Sequence, residues 1–115
     1  MASYSYESRI LKQIRPSSTS AQAAFTEAKG GFLETIIVSN STASSATYSI
    51  FIDPTGAGVR TEATAIAFAI SLAANSMDII TFENPIPIPQ NTNVGVTSGT
   101  ANAITFHFFG STKAL

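Results

Sequence analysis

From Gln22 onward, apolar and polar residues alternate in short runs, and Gly, Pro, Asn, Asp and Ser stand between the runs. A period of two puts successive side chains on opposite faces of an extended chain, so this pattern builds sheets rather than helices. The clearest run is 103–109, where Ile104, Phe106 and Phe108 share one face and Thr105, His107 and Phe109 the other. In 47–53, Tyr48, Ile50 and Ile52 point one way, with Phe51 the one bulky apolar residue on the polar side. Asp53-Pro54-Thr55-Gly56 then supplies Asp, Pro and Gly where a type I turn prefers them. Residues 32–38 form a β-branched strand that stops at Ser39-Asn40-Ser41, and Ala23, Phe25 and Glu27 mark a weaker strand before Gly30-Gly31. Residues 65–72 are expected to be a strand with Ile66, Phe68, Ile70 and Leu72 on the core face and Ala65, Ala67, Ala69 and Ser71 on the other. That second face would be a stripe of small side chains open to close approach. With 77–82 and 94–97, the total is seven or eight strands. The expected fold is all-β: an antiparallel β-sandwich or jelly roll with an extended N-terminal arm.

A chain of 115 residues fits one domain. Only 11% of it is charged, against about 25% in ordinary globular chains. Its 15 Ser and 14 Thr must therefore solvate much of the surface. So little charge gives weak electrostatic protection against association, which points to a homo-oligomer or an assembly subunit. The net charge of -1 speaks against nucleic acid and against an electrostatic membrane partner. Residues 1–7 lack the charged start and apolar run of a secretory signal, so the expectation is a chain made in the cytoplasm.

Residues 1–20 are expected to form a docking arm and linker, and 21–115 the sandwich. In the arm, Ile10, Lys12 and Ile14 alternate with Leu11, Gln13 and Arg15 before Pro16 and a Ser/Thr stretch end the run. Arg9, Lys12 and Arg15 are half of the six basic residues. The expected partner contacts are therefore Arg9, Ile10, Leu11, Lys12, Ile14 and Arg15, clasping an acidic neighbour. Further along, Pro85, Pro87 and Pro89 delete three backbone donors from one side of an extended chain, so this segment belongs at a protected sheet edge or in a loop.

Chemistry-bearing patterns are few. His107 is the only imidazole, there is no Cys and no G-x-S-x-G elbow, and the seven carboxylates are scattered singly. No cofactor or metal ligand set is expected, and no enzyme. Gly56-Ala57-Gly58 has Thr61 where a dinucleotide loop needs its third Gly, and reads as a loop tip. Asn40-Ser41-Thr42 matches a glycosylation acceptor by pattern alone. Tyr4, Tyr6 and Tyr48 could stack on sugars if exposed, which leaves a host-surface carbohydrate-binding module as a reading of a different class.

One resemblance bears on function. The segments 10–16, 36–43 and 46–50, the run 72–78 leading into a strand, and the terminal 103–110 resemble small structural proteins of tailed bacteriophages, of the marine and cyanobacterial type. The chain departs from them at 24–28 and in the proline run 85–89. The resemblance implies a virion component with a β-sandwich fold, foremost a capsid decoration (cement) protein. Its partners would be the major capsid protein and further copies of itself, with a trimer expected. A low-copy neck, tail or fibre-attachment module is the alternative.

Overall fold

The computed structural model describes residues 6–113. Eight strands appear in chain order: β1 (Tyr6–Ile14), β2 (Gln22–Thr26), β3 (Gly31–Asn40), β4 (Ala46–Asp53), β5 (Ala65–Leu72), β6 (Ser76–Ile88), β7 (Asn93–Ser98) and β8 (Ile104–Lys113). Among the described residues the one helical element is a 3-10 turn, Glu62–Thr64, capped by Thr61. No helix is long and apolar enough to cross a membrane.

The strands form two four-stranded sheets, ordered β1-β8-β3-β6 and β2-β7-β4-β5, with every ladder antiparallel. The pairs β1·β8, β2·β7, β3·β6 and β4·β5 together describe one long two-stranded ribbon, closed at β4–β5 and folded back on itself. That is the jelly-roll arrangement, the more specific of the two architectures expected.

The alternation works as expected in β8, whose residues are buried and half-buried in strict turn. Phe106, Phe108, Ile104, Leu33, Ile36 and Val38 from the first sheet meet Tyr48, Ile50, Leu72, Val94 and Val96 from the second. Each such side chain contributes roughly 1.5–3 kcal/mol when fully buried. Tyr48 sits in this core, where its Oη donates to Asp78 Oδ2 at 2.8 Å and so ties β4 to β6 across the two sheets. Burial, and then the bond to the Asp78 carboxylate, hold its phenol well above the ordinary value.

Three segments add detail to the sequence expectation or depart from it. The stretch expected as an arm includes β1, an edge strand laid along β8 of its own sheet, and Pro16 behind it is fully buried, its carbonyl accepting from Asn102 N at 2.9 Å. In β5, Ile66, Phe68 and Ile70 are exposed while Ala67 and Leu72 pack on the core. The reason is a bulge: Tyr48 pairs with Ile70 but Ile50 with Ala67, and Ala69 takes φ 50 where the extra residue is absorbed. One inserted residue reverses the phase of the residues before it, as far as the second register shift between Ala67 and Ala65. The stripe of small side chains is therefore turned partly inward. Third, 76–88 is one strand of 13 residues at the edge of the first sheet, with Pro85 and Pro87 inside it and exposed. An edge or a loop was expected for the prolines; Pro85 and Pro87 lie at the edge, and Pro89 falls just past the strand.

The Asp53 turn is pinned by its own side chain. Gly56 N donates to Asp53 O at 3.3 Å, while the carboxylate accepts from Thr55 Oγ1 at 2.6 Å, Thr55 N at 3.0 Å and Val59 N at 2.8 Å. The Thr55 hydroxyl, followed by the Val59 and Thr55 amides, holds the carboxyl below its ordinary value of 3.8. A depressed folded-state pKa contributes stability that is complete above the ordinary value and is lost as pH falls through the lower one. Asp53→Asn keeps one acceptor but turns an amide N–H toward the Val59 N–H. Its melting temperature should lie below that of the unaltered chain at pH 7, and the gap should narrow as thermal scans descend below about pH 4. A gap independent of pH would remove the carboxylate's charge from the explanation.

Candidate interaction surface

The outer face of the first sheet carries side chains in registered rows across all four strands. One row runs Ile10, Phe109, Thr35, Thr81, and the next Gln13, His107, Ile37, Ile79. Ser39 and Met77 continue the face on one side, and Ser8, Ser111 and Phe32 on the other. Large apolar side chains stand clear of the surface here: Ile10 is 63% exposed, Met77 58%, Ile79 57% and Tyr6 47%. Phe32, Ile37, His107 and Phe109 are half-buried between them. His107 stacks on Phe109 with ring centroids 6.3 Å apart, and Tyr6 meets Phe32 edge-on at 5.3 Å.

The chain builds this face with two irregularities. In β3, Leu33 opposes Gly110 and Thr35 opposes Phe109, so Glu34 is an extra residue. In β6, four residues, 82–85, stand opposite that single Glu34. The double bulge opens a shallow depression of about 330 Å³ lined by Tyr6, Ser8, Phe32, Glu34, Pro85 and Ser111. A second of about 330 Å³, which Glu34 also borders, continues toward Ile10 and Phe109. The face thus offers an aromatic and aliphatic floor with one carboxylate, suited to burying a partner's apolar side chains.

The residues expected to contact a partner divide between outside and inside. Ile10 lies on the outer face, and Arg9 and Lys12 are exposed along the β1 edge. A register shift after Ile10 turns Leu11 inward, where it and Ile14 pack against the core. Arg15 makes bonds within its own chain: its Nε donates to Asn102 O at 2.9 Å and its Nη2 to Ser41 Oγ at 3.1 Å. Sequence reasoning missed Phe109, Ile37, Ile79 and Met77 as one surface, because their adjacency depends on which strands pair.

The remaining motifs resolve structurally. His107 has Gln13 and Ile37 as lateral neighbours, and among the described residues no three His, Cys, Asp or Glu side chains cluster as a metal site would. Asn40 is buried, its Nδ2 donating to Ser44 O at 2.9 Å and Leu72 O at 3.2 Å, so the acceptor pattern has no free amide in the folded chain. Tyr48 is a core residue, and Tyr4 lies outside the described residues. The loop after Gly56 is held by Asp53 and by Arg60, whose Nη2 donates to Asn93 Oδ1 at 3.2 Å. Compared with known families and with curated proteins, the sequence matches no family model and no curated protein.

Proposed function

We propose that this chain is a non-enzymatic structural subunit that docks on a larger assembly through the outer face of its first sheet, and that the assembly is a bacteriophage head. On this reading it is a decoration (cement) protein on the major capsid protein, located in the virion. The observation that carries docking is the set of exposed Ile10, Ile79 and Met77 around half-buried Phe109 and Ile37 on one sheet face. Isolated surface apolar residues are ordinary, but a contiguous patch of them marks an interaction site. The head itself is favoured by the resemblance of the segments to phage structural proteins and, at the level of fold analogy, by the use of jelly rolls in viral capsid domains. Relative to the arm first expected to carry docking, the contact moves onto the sheet face.

The test begins with copy number. Quantitative mass spectrometry of purified particles should find this chain in numbers comparable with the major capsid protein, whereas a handful per particle would move it to the neck, tail or fibres. Ile79→Asp should then abolish binding to stripped particles while leaving the melting temperature nearly unchanged, since the side chain is exposed at an edge strand. Undiminished binding would take the sheet face out of the reading. A glycan-binding reading rests on Tyr6, Phe32 and Glu34 around the first depression, and a glycan array with no hits would remove it.

A further inference from the structure

A sandwich of two open sheets has four edges, and two of these, β2 and β5, are broken by register shifts. The β6 edge contains Pro85 and Pro87 in its last four residues, while Ser76–Thr81 pairs with β3 without a shift. The β5 register is interrupted twice, with Ala69 at φ 50, and β2 is five residues long with a register shift between Ala23 and Phe25. Such prolines, bulges and short strands are the usual protection against edge pairing. The first half of β1 lacks all three: Tyr6–Ile10 runs against β8 without interruption, from Tyr6 opposite Lys113 to Ile10 opposite Phe109, and every residue in it is exposed. The register shift comes only after Ile10.

We infer that Tyr6–Ile10 pairs antiparallel with the same segment of a second copy, about a twofold axis at Ser8, joining two first sheets into one of eight strands. The choice of axis follows from charge. A twofold perpendicular to the sheet must pass beside one residue of the run. At Glu7 it would set Glu7 against its own copy, and at Arg9 it would set two guanidiniums face to face. At Ser8 it sets Glu7 opposite the second copy's Arg9, twice over, and Tyr6 opposite the second copy's Ile10, also twice. The faces agree as well. Glu7 and Arg9 oppose Thr112 and Gly110 on the inward side, while Tyr6 and Ile10 oppose Lys113 and Phe109 on the outward side. In the single chain Arg9 Nη1 donates to Thr112 Oγ1 of β8 at 3.1 Å, so the guanidinium leans toward β8 and turns outward to meet the second copy's Glu7. An isologous contact requires such self-complementarity, and opposite-charge and aromatic–aliphatic cross-strand pairs are its stabilising units. The pairing yields a dimer in place of the trimer expected from the sequence.

The inference deepens the reading of the chain as an assembly subunit by naming a second copy as the occupant of the β1 edge, beside the sheet face that meets the particle. Sedimentation equilibrium of the full chain over about 1 µM to 1 mM should show a monomer–dimer equilibrium. Glu7→Arg or Arg9→Glu should each weaken it by about tenfold or more, and the double exchange should recover most of that loss. Hydrogen exchange on the unaltered chain gives a second readout that needs no variant: the amides of 6–10 that face away from β8 should gain protection as concentration rises. A monomer throughout the range would overturn the inference. So would a dimer indifferent to both Glu7→Arg and Ser8→Pro, because its contact would lie elsewhere. Particles that bind the chain as a monomer would sink this pairing alone, whereas a dimer that binds no particle would sink the docking reading alone.

Discussion

Phe106→Ala should destabilise the chain by about 3–5 kcal/mol, the usual cost of emptying a large aromatic site in a close-packed core. Phe106 is fully buried in β8, with Ile14 and Val38 as its neighbours across the ladders. Its ring meets Tyr48 of the opposite sheet edge-on at 6.1 Å and stacks beside Phe108 at 6.3 Å. Truncation therefore removes contacts between the sheets as well as within one. A domain of this size has about 5–15 kcal/mol in all, so the variant should melt at least about 12 °C lower or fail to fold. Phe109→Ala is the matched control. The same deletion on the outer face, where Phe109 is half-buried, should cost much less and should weaken particle binding instead. Equal losses in chemical denaturation would contradict the assignment of the two faces.

Gly110→Ala should cost at least the upper part of the roughly 1–3 kcal/mol typical of overpacking, although it adds a single methyl group. Gly110 lies between Arg9 of β1 and Leu33 of β3, next to the extra residue Glu34. A Cβ there would overlap the Phe32 carbonyl oxygen, which is backbone, and would lie 3.0 Å from Leu11 Cδ1. Backbone held in a central ladder cannot step aside without breaking hydrogen bonds on both strands. Gly99→Ala makes the comparison, because its added Cβ meets the Thr47 hydroxyl, which rotates about one bond. The melting temperature should fall clearly further for Gly110→Ala than for Gly99→Ala. The reverse order would mean that the β3 bulge adapts more easily than its ladders suggest.

The two glycines show where legibility stops. Gly110 stands in a run whose alternation is plain, yet nothing near it in sequence announces that the Phe32 carbonyl comes within touching distance. Gly95 is similar: a Cβ there would meet the Arg60 side chain, with Nε 2.6 Å away, a neighbour 35 positions earlier brought in by the β4–β7 pairing. For β5, the strand was legible but its phase was not. The strict alternation of Ile66, Phe68, Ile70 and Leu72 implies one face only if every residue advances the strand, and the positive φ at Ala69 breaks that condition. For the candidate interaction surface, Ile10 was legible as an exposed apolar residue. Ile79 and Phe109 were not, because a residue on the outer side of a strand looks like any other until its sheet neighbours are known.

What the amino-acid order determined by itself is local: where strands run, which side of β8 faces the core, the Asp53 turn, and the proline-bearing segment that must lie at an edge or in a loop. These follow from steric preference, side-chain alternation and missing backbone donors, all set within a few residues. Only the tertiary structure decided that residues 6–14 pair with 106–113, that the ribbon folds into a jelly roll, and that Ile10, Phe109, Ile37 and Ile79 share one outer face. Those are pairings between segments far apart in the chain. Their choice depends on total burial and on bulges that shift register by one residue, quantities that no single segment contains.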